Sequence, residues 1–404
     1  MTYEKRIPLL KDHHTHPSLY TALGSCLDLR TVDDKTRALA LIRAKKDPVV
    51  VVFGWNNSRY TFEEELESFG PVFICNVSLH CFVMNTAAKE RFEDPYPDIV
   101  ARIDDADWVE RHLPEIFKFI VNIGPGGRDL AADFYGYLER RGIWYAEEML
   151  LPNGATIDDH TRLGTLDRTK FWADLELFRT LDMRAQKRVA GIKLFTDGAL
   201  GPETAALREP YPTGGTGILN YRADELRAVL NAVGELGKPA AIHAIGDAAV
   251  DQVVNVMDDI DRSGGARPPG VRMEHCQFIT ADTARRARDL GLILSMQPNF
   301  SYDSAMYRDR LPGAYCARNN PFRMLIDEVG FTPGEDLIFG SDGMPHGVDY
   351  ALEMALFPPV PGQRLTLDEF TAGYCMDTME NGHIDIQVDA AGRTVSSRVV
   401  IKAC

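Results

Sequence analysis

Residues 7–16, IPLLKDHHTH, run from an apolar stretch into His14-Thr15-His16, and the fold is decided by how this piece is read. In an extended strand side chains alternate, so both imidazoles go to one face and Thr15 to the other. A short apolar run that ends in a metal-type ligand, followed by a Gly, Pro or polar turn, recurs four more times. The ligands are Lys193 in GIKLFTDGALG, His243 in AAIHAIGD, His275 in VRMEHCQF and Asp342 in LIFGSDGMPH. In chain order the set is His-x-His, Lys, His, His, Asp. Ligands so far apart in sequence, each at a strand end, can converge above a β/α barrel, where active sites lie at the carboxyl ends of the strands.

The rest of the chain supports that fold class. From about residue 135 short apolar or β-branched runs alternate with helical patterns, which predicts a parallel sheet with crossover helices. The expected strands are 142–149, 171–176, 188–195, 238–244, 271–276, 291–296 and 337–341, and the strand before His14 makes eight. ADELRAVLNAVGELG (223–237) has the three-and-four apolar spacing of a helix and is ended by Gly237. In ITADTARRARDLG, Thr280 is placed to cap a helix and Gly291 to stop it. The expectation is an α/β protein, a (β/α)8 TIM-type barrel. Residues 1–45 start it, 46–135 form an inserted subdomain after the first strand that covers one side of the site, and 136–381 complete the barrel. Within the insertion, PVVVVF and PVFICNV read as strands. NIGPGG lacks the Gly-Lys-Ser/Thr ending of a phosphate loop and reads as an ordinary turn. Residues 382–404 alternate like a hairpin joined through DAAGRT, outside the barrel.

Composition narrows the function. With 44 basic against 59 acidic residues, net charge -15, and no Lys/Arg run, the chain repels phosphate backbones and anionic lipid. Neither nucleic acid nor membrane is an expected partner; a small-molecule substrate is, and a homo-oligomer is compatible with the sequence. No apolar run approaches the roughly 20 residues that span a bilayer, and MTYEKRIPLL does not resemble a signal peptide, so a cytoplasmic protein is expected. Seven dispersed cysteines without a C-x-x-C pair indicate neither a disulfide framework nor a zinc finger, and Cys276 reads as a buried reduced thiol.

Imidazole and carboxylate are good zinc ligands, and a site with an open position holds a water whose pKa can fall to about 7. Lys193 is the odd member, since an ammonium cannot ligate a cation. Either it adds carbon dioxide to give a carbamate that bridges two metals, or it stays a plain lysine paired with Asp197 or a neighbouring carboxylate. Asp342, in the turn-forming Ser341-Asp342-Gly343, is either a cap or a ligand and proton acceptor. His13 should point away from the site, and His112, His160 and His383 are expected at the surface.

The blocks GIKLFTDGALG, HAIGDAAVD, RMEHCQF, SMQPNF and FGSDG resemble, in order, those of the amidohydrolase superfamily, in its family 3 branch that includes N-substituted formamide deformylases. Weaker matches are FGWNNSRY (53–60) and LHCFVMNTAA (79–88). The resemblance implies that His14 and His16 bind one metal, that His243 and His275 bind a second, and that carboxylated Lys193 bridges them. Asp342 would contact the first metal and take the proton of the attacking water. The implied cofactor is a divalent metal, zinc foremost, as one or two ions, and the implied catalytic groups are Asp342, Lys193 and His275. The expected reaction is hydrolysis of a C–N bond, amide or formamide-like, with Trp55, His80, Arg272, Gln297 and His346 as substrate contacts. The alternatives are lactone or phosphoester hydrolysis, decarboxylation, and a catalytically silent metal-binding or assembly protein. Three departures from the branch bear on substrate: a reduced or vestigial β-sandwich, Glu203 in GALGPETAA where an Arg is common, and His346 in GMPHGVDY.

Overall fold

Eight strands form one parallel sheet in chain order in the computed structural model, which describes residues 2–124 and 128–402. They are β1 (Leu10–Thr15), β2 (Ile143–Glu148), β3 (Thr169–Ala173), β4 (Val189–Phe195), β5 (Ala240–Ala244), β6 (Val271–His275), β7 (Ile293–Met296) and β8 (Leu337–Phe339). Helices cross between them, so the architecture is the expected (β/α)8 barrel. The crossover helix Asp247–Ser263 shows how sequence makes this packing. Val250, Val253, Val254, Met257 and Ile260 recur at spacings of three and four and are buried, and Gly264 ends the helix at φ 69°. Helix Ala223–Glu235 stops before Gly237 (φ 63°), and helix Ala281–Asp289 is capped by the Thr280 hydroxyl, which accepts from Thr283 N.

Between β8 and β1 the barrel is sealed just beyond β8. Asp342 N donates to His14 O at 2.6 Å, and Ser341 N donates to Asp12 Oδ1 at 2.8 Å. Gly340 is needed for this approach, because a Cβ there would stand 2.4 Å from His14 N.

The chain forms two compact units, Met1–Pro17 with Ala132–Cys404, and Ser18–Ala131. The second begins well before residue 46, where the sequence placed the insertion. The segment assigned to the barrel start carries Leu27–Asp28, which pairs with Val52 and Phe53, so it belongs to the insertion's own sheet. That sheet continues with Val50–Trp55, Val72–Asn76 and Phe82–Met84, the last antiparallel. Alternation gives it two apolar faces. Val51, Phe73 and Cys75 pack with Phe119, while Val50, Val52, Val72 and Ile74 pack with Ala38 and Ile42. Residues 125–127 of the NIGPGG turn lie outside the described residues.

A three-stranded antiparallel sheet pairs Gly382–Asp389 with both Thr2–Pro8 and Thr394–Ile401. The C-terminal hairpin is as expected, whereas the N-terminal strand was not anticipated. Among the described residues no helix is long and apolar enough to cross a membrane.

Candidate metal centre

Alternation along β4, β5 and β6 puts Lys193, His243, Arg272 and Glu274 on the barrel interior, with Lys193 in register with Ala241 and His243 in register with Glu274. His275 has the opposite parity and would face outward. Its φ of 71°, followed by 49° at Cys276, turns the chain, and the ring lies 4.6 Å from that of His14 and 4.5 Å from that of His243, centroid to centroid. Asp342 is also left-handed, at φ 53°. Positive φ in non-glycine residues costs on the order of 1–3 kcal/mol each and gathers at functional sites.

One ligand atom each from His14, His275 and Asp342 lies within 4.8 Å of the others. Asp342 Oδ1 is 3.6 Å from His14 Nε2 and 3.3 Å from His16 Nε2. Acceptor-only partners fix which imidazole nitrogen carries hydrogen. His14 Nδ1 donates to Glu274 Oε2 at 2.6 Å and His275 Nδ1 to Gln297 Oε1 at 2.7 Å, which leaves both Nε2 lone pairs free. His243 is reversed: Nε2 donates to Gly198 O at 3.0 Å, which leaves its Nδ1 lone pair free.

The electrostatics suit a cation. Burial, reinforced by Lys193, holds the His14 pKa well below the usual range; burial and the neighbouring His243 and His14 do the same for His275. Both are therefore neutral, the ligating form. Burial opposes ionisation of Asp342, but the facing His14 and His16 outweigh it and leave its pKa below the ordinary carboxylate value. Lys193 Nζ is buried without a hydrogen-bond partner, and burial lowers its pKa to about 8 against the opposing pull of Glu274 and Asp342. The expected alternative partner, Asp197, is already engaged by Ala206 N, Ile245 N and Gly246 N at 2.8–3.0 Å. An orphaned buried amine beside three preset imidazoles and an ionised carboxylate fits a bound metal, with His14, His16, His243, His275, Asp342 and Lys193 as the groups able to hold it.

The sequence profile of the amidohydrolase family matches residues 140–348, just over half of the chain. The chain belongs to the amidohydrolase family. The matched span holds Lys193, His243, His275 and Asp342, while His14 and His16 lie before it. The protein LONG AFTER FAR-RED 3 of Arabidopsis thaliana is 24% identical over 355 residues, 74% of this chain and 59% of that protein. YtcJ of Bacillus subtilis (strain 168), whose name calls it an amidohydrolase, is 32% identical over 111 residues, 27% of this chain and 20% of its own length. The chain thus spans less than two thirds of the length of these relatives. An uncharacterized metal-dependent hydrolase from Pyrococcus furiosus has a similar structure, with TM-score 0.68 at 21% identity over 91% of this chain and 80% of that one. Another, from Pyrococcus horikoshii, gives 0.66 at 22%, covering 87% and 74%. At such identities the likeness speaks for the fold.

The residues expected to contact substrate have the following partners. Arg272 is 5% exposed in the barrel interior, with Nη1 on Glu147 at 2.8 Å, Nη2 on His13 O at 2.9 Å and Nε on Glu274. Gln297 is buried against His275. His346 is buried with Nε2 on Thr15 Oγ1 at 2.7 Å, because Thr15 points to the face opposite His14 and His16. Trp55 and His80 belong to the Ser18–Ala131 unit, where the Trp55 indole donates to Tyr60 O and His80 Nδ1 meets Glu110 at 2.9 Å. His160, expected at the surface, is 3% exposed, bonded to Thr165 Oγ1 at 2.8 Å and packed against Tyr135 and Phe171. His13 lies against Glu147 at 2.8 Å. Sequence reasoning missed Glu147, Glu274 and Asp12. The signal was present in VRMEH, where two charges alternate along one face of an otherwise apolar strand.

Proposed function

We propose that this protein is a metal-dependent hydrolase of C–N bonds in small molecules, amide or formamide-like, in keeping with its family. The observation that carries the reading is the meeting of His14, His275 and Asp342 within 4.8 Å beside the unpartnered amine of Lys193. A divalent ion, zinc in our reading, would supply Lewis acidity and lower the pKa of water. Asp342, ionised and next to His14 and His16, takes the proton of the attacking water and returns it to the leaving nitrogen. His14 and His275 are held as neutral ligands by Glu274 and Gln297. Lys193 is buried, and with a pKa of about 8 a fraction is neutral near physiological pH. Its lone pair adds to carbon dioxide with loss of a proton, giving an anion at the centre. The six described cysteines are free, in keeping with a reducing, cytoplasmic setting.

The test is metal analysis of the purified protein joined to a panel of amides, formamides, lactones and phosphoesters, before chelation, after it, and after metal is returned. Amide or formamide hydrolysis that follows the metal is expected. Turnover confined to lactones or phosphoesters would reassign the bond, and bound metal without any turnover would overturn the enzyme reading.

A further inference from the structure

Beneath the candidate centre lies a buried ionic chain that neither metal ligation nor proton transfer uses. Glu274, fully buried, accepts His14 Nδ1–H on Oε2 and Arg272 Nε–H on Oε1. Arg272 continues to Glu147 through Nη1, and Glu147, 1% exposed, also accepts from Trp172 Nε1 at 2.7 Å and from His13 Nδ1. The Arg272 guanidinium lies over the Trp172 ring, 4.8 Å from its centroid. Removing two carboxylates and a guanidinium from water is costly, and such networks are often no more stabilising than apolar packing. Stability is therefore a weak account of why three charges stand inside this barrel.

We propose that Glu274, clamped by Arg272 and Glu147, is a positioning residue that holds the His14 ring with Nε2 presented to the metal and thereby sets the site's metal affinity. Each link follows from atom types. An ionised carboxylate only accepts, so His14 must carry its hydrogen on Nδ1. Arg272, a permanent cation, occupies Oε1, which leaves Oε2 to accept from His14. Glu147 and the His13 carbonyl hold the far end of the guanidinium, so the fork cannot swing away. Carboxylates behind ligating histidines raise ligand basicity, and their loss typically weakens metal binding about 10–100-fold.

The inference rests on the metal-centre reading, and the experiment separates the two. Metal dissociation constants are measured by chelator competition for the wild type, Glu274→Gln and Glu147→Gln, with circular dichroism and melting of each metal-free protein. Expected are a fall of roughly 10–100-fold in affinity for Glu274→Gln, a smaller one for Glu147→Gln, and unchanged metal-free folds. Equal affinity in Glu274→Gln and wild type overturns the proposal; a wild type that binds no metal overturns the metal centre itself. Should Glu274→Gln fail to fold, proton–nitrogen correlation spectra of the zinc-loaded wild type labelled at histidine decide. A protonated, slowly exchanging Nδ1 on His14 is expected, and hydrogen on Nε2 overturns the inference.

Discussion

Asp12 and Ser341 are joined by two hydrogen bonds where the first and last barrel strands meet: the backbone N to Oδ1 at 2.8 Å and the hydroxyl to Oδ2 at 2.5 Å. One residue before Asp342 and two before His14, this clamp ties Asp342, the proposed proton acceptor, to the strand that carries His14. Burial raises the Asp12 pKa to about 7 even though Ser341 and His14 N oppose it, a sign of how little water reaches the seam. Asp12→Ala leaves the Ser341 N–H and hydroxyl buried without acceptors. A loss of about 2–6 kcal/mol is expected, at about 1–3 kcal/mol for each of the two unsatisfied groups, read from the denaturant midpoint. An unchanged midpoint would show that the seam closes without the clamp.

Asp342→Asn keeps the shape of the side chain and removes the base. Because His14, His16, His243 and His275 remain, metal content should stay near that of the wild type while kcat falls by about 10²–10⁴-fold. Retained turnover would refute Asp342 as the proton acceptor.

Lys193 is tested through its carbamate. Carbon-13 bicarbonate should give a carbamate resonance in the metal-loaded wild type that is missing from Lys193→Met. The variant should hold less metal, because it places a thioether where the proposed carbamate would stand. A wild type without the resonance would leave Lys193 a neutral or cationic amine.

The pH dependence of stability should show His160. Burial lowers its folded pKa to about 4, below the unfolded value of about 6.5, so folding favours the neutral ring. Its contribution is complete above pH 6.5 and shrinks as pH falls from about 6.5 to 4. At 1.36 kcal/mol per pKa unit this amounts to about 3 kcal/mol. Urea midpoints across that window should fall more steeply for the wild type than for His160→Gln; parallel curves would refute the assignment.

The barrel and the placement of the candidate ligands at strand ends were legible because each depends on local pattern: apolar runs ending in His14, Lys193, His243, His275 and Asp342, with Gly237 and Gly291 closing helices. What depended on backbone rotation or distant pairing was not. The parity of β6 alone would turn His275 outward, and only φ 71° brings it back. The pairing of Arg272 with Glu147, more than a hundred residues away in sequence, leaves no local signal. The insertion's start was misplaced because Leu27–Asp28 is two residues long, too short to register as a strand.

Gly340 offers the sharpest test of how tightly the seam governs the site. A Cβ at this position would meet His14 at 2.4 Å from N, 2.8 Å from Cβ and 2.9 Å from Cα. Two of these atoms are backbone, so no side-chain rotation relieves the contact, and either β1 or the β8 turn must move. Gly340→Ala should cost about 1–3 kcal/mol, the usual range for overpacking. The displacement falls on His14, whose Nδ1 bond to Glu274 is 2.6 Å, and on Asp342, whose N donates to His14 O at 2.6 Å. Metal affinity and kcat should therefore drop together, unlike in Asp342→Asn, where kcat falls alone. A Gly340→Ala protein that is less stable yet binds metal as tightly as the wild type would show that the site tolerates movement of its seam.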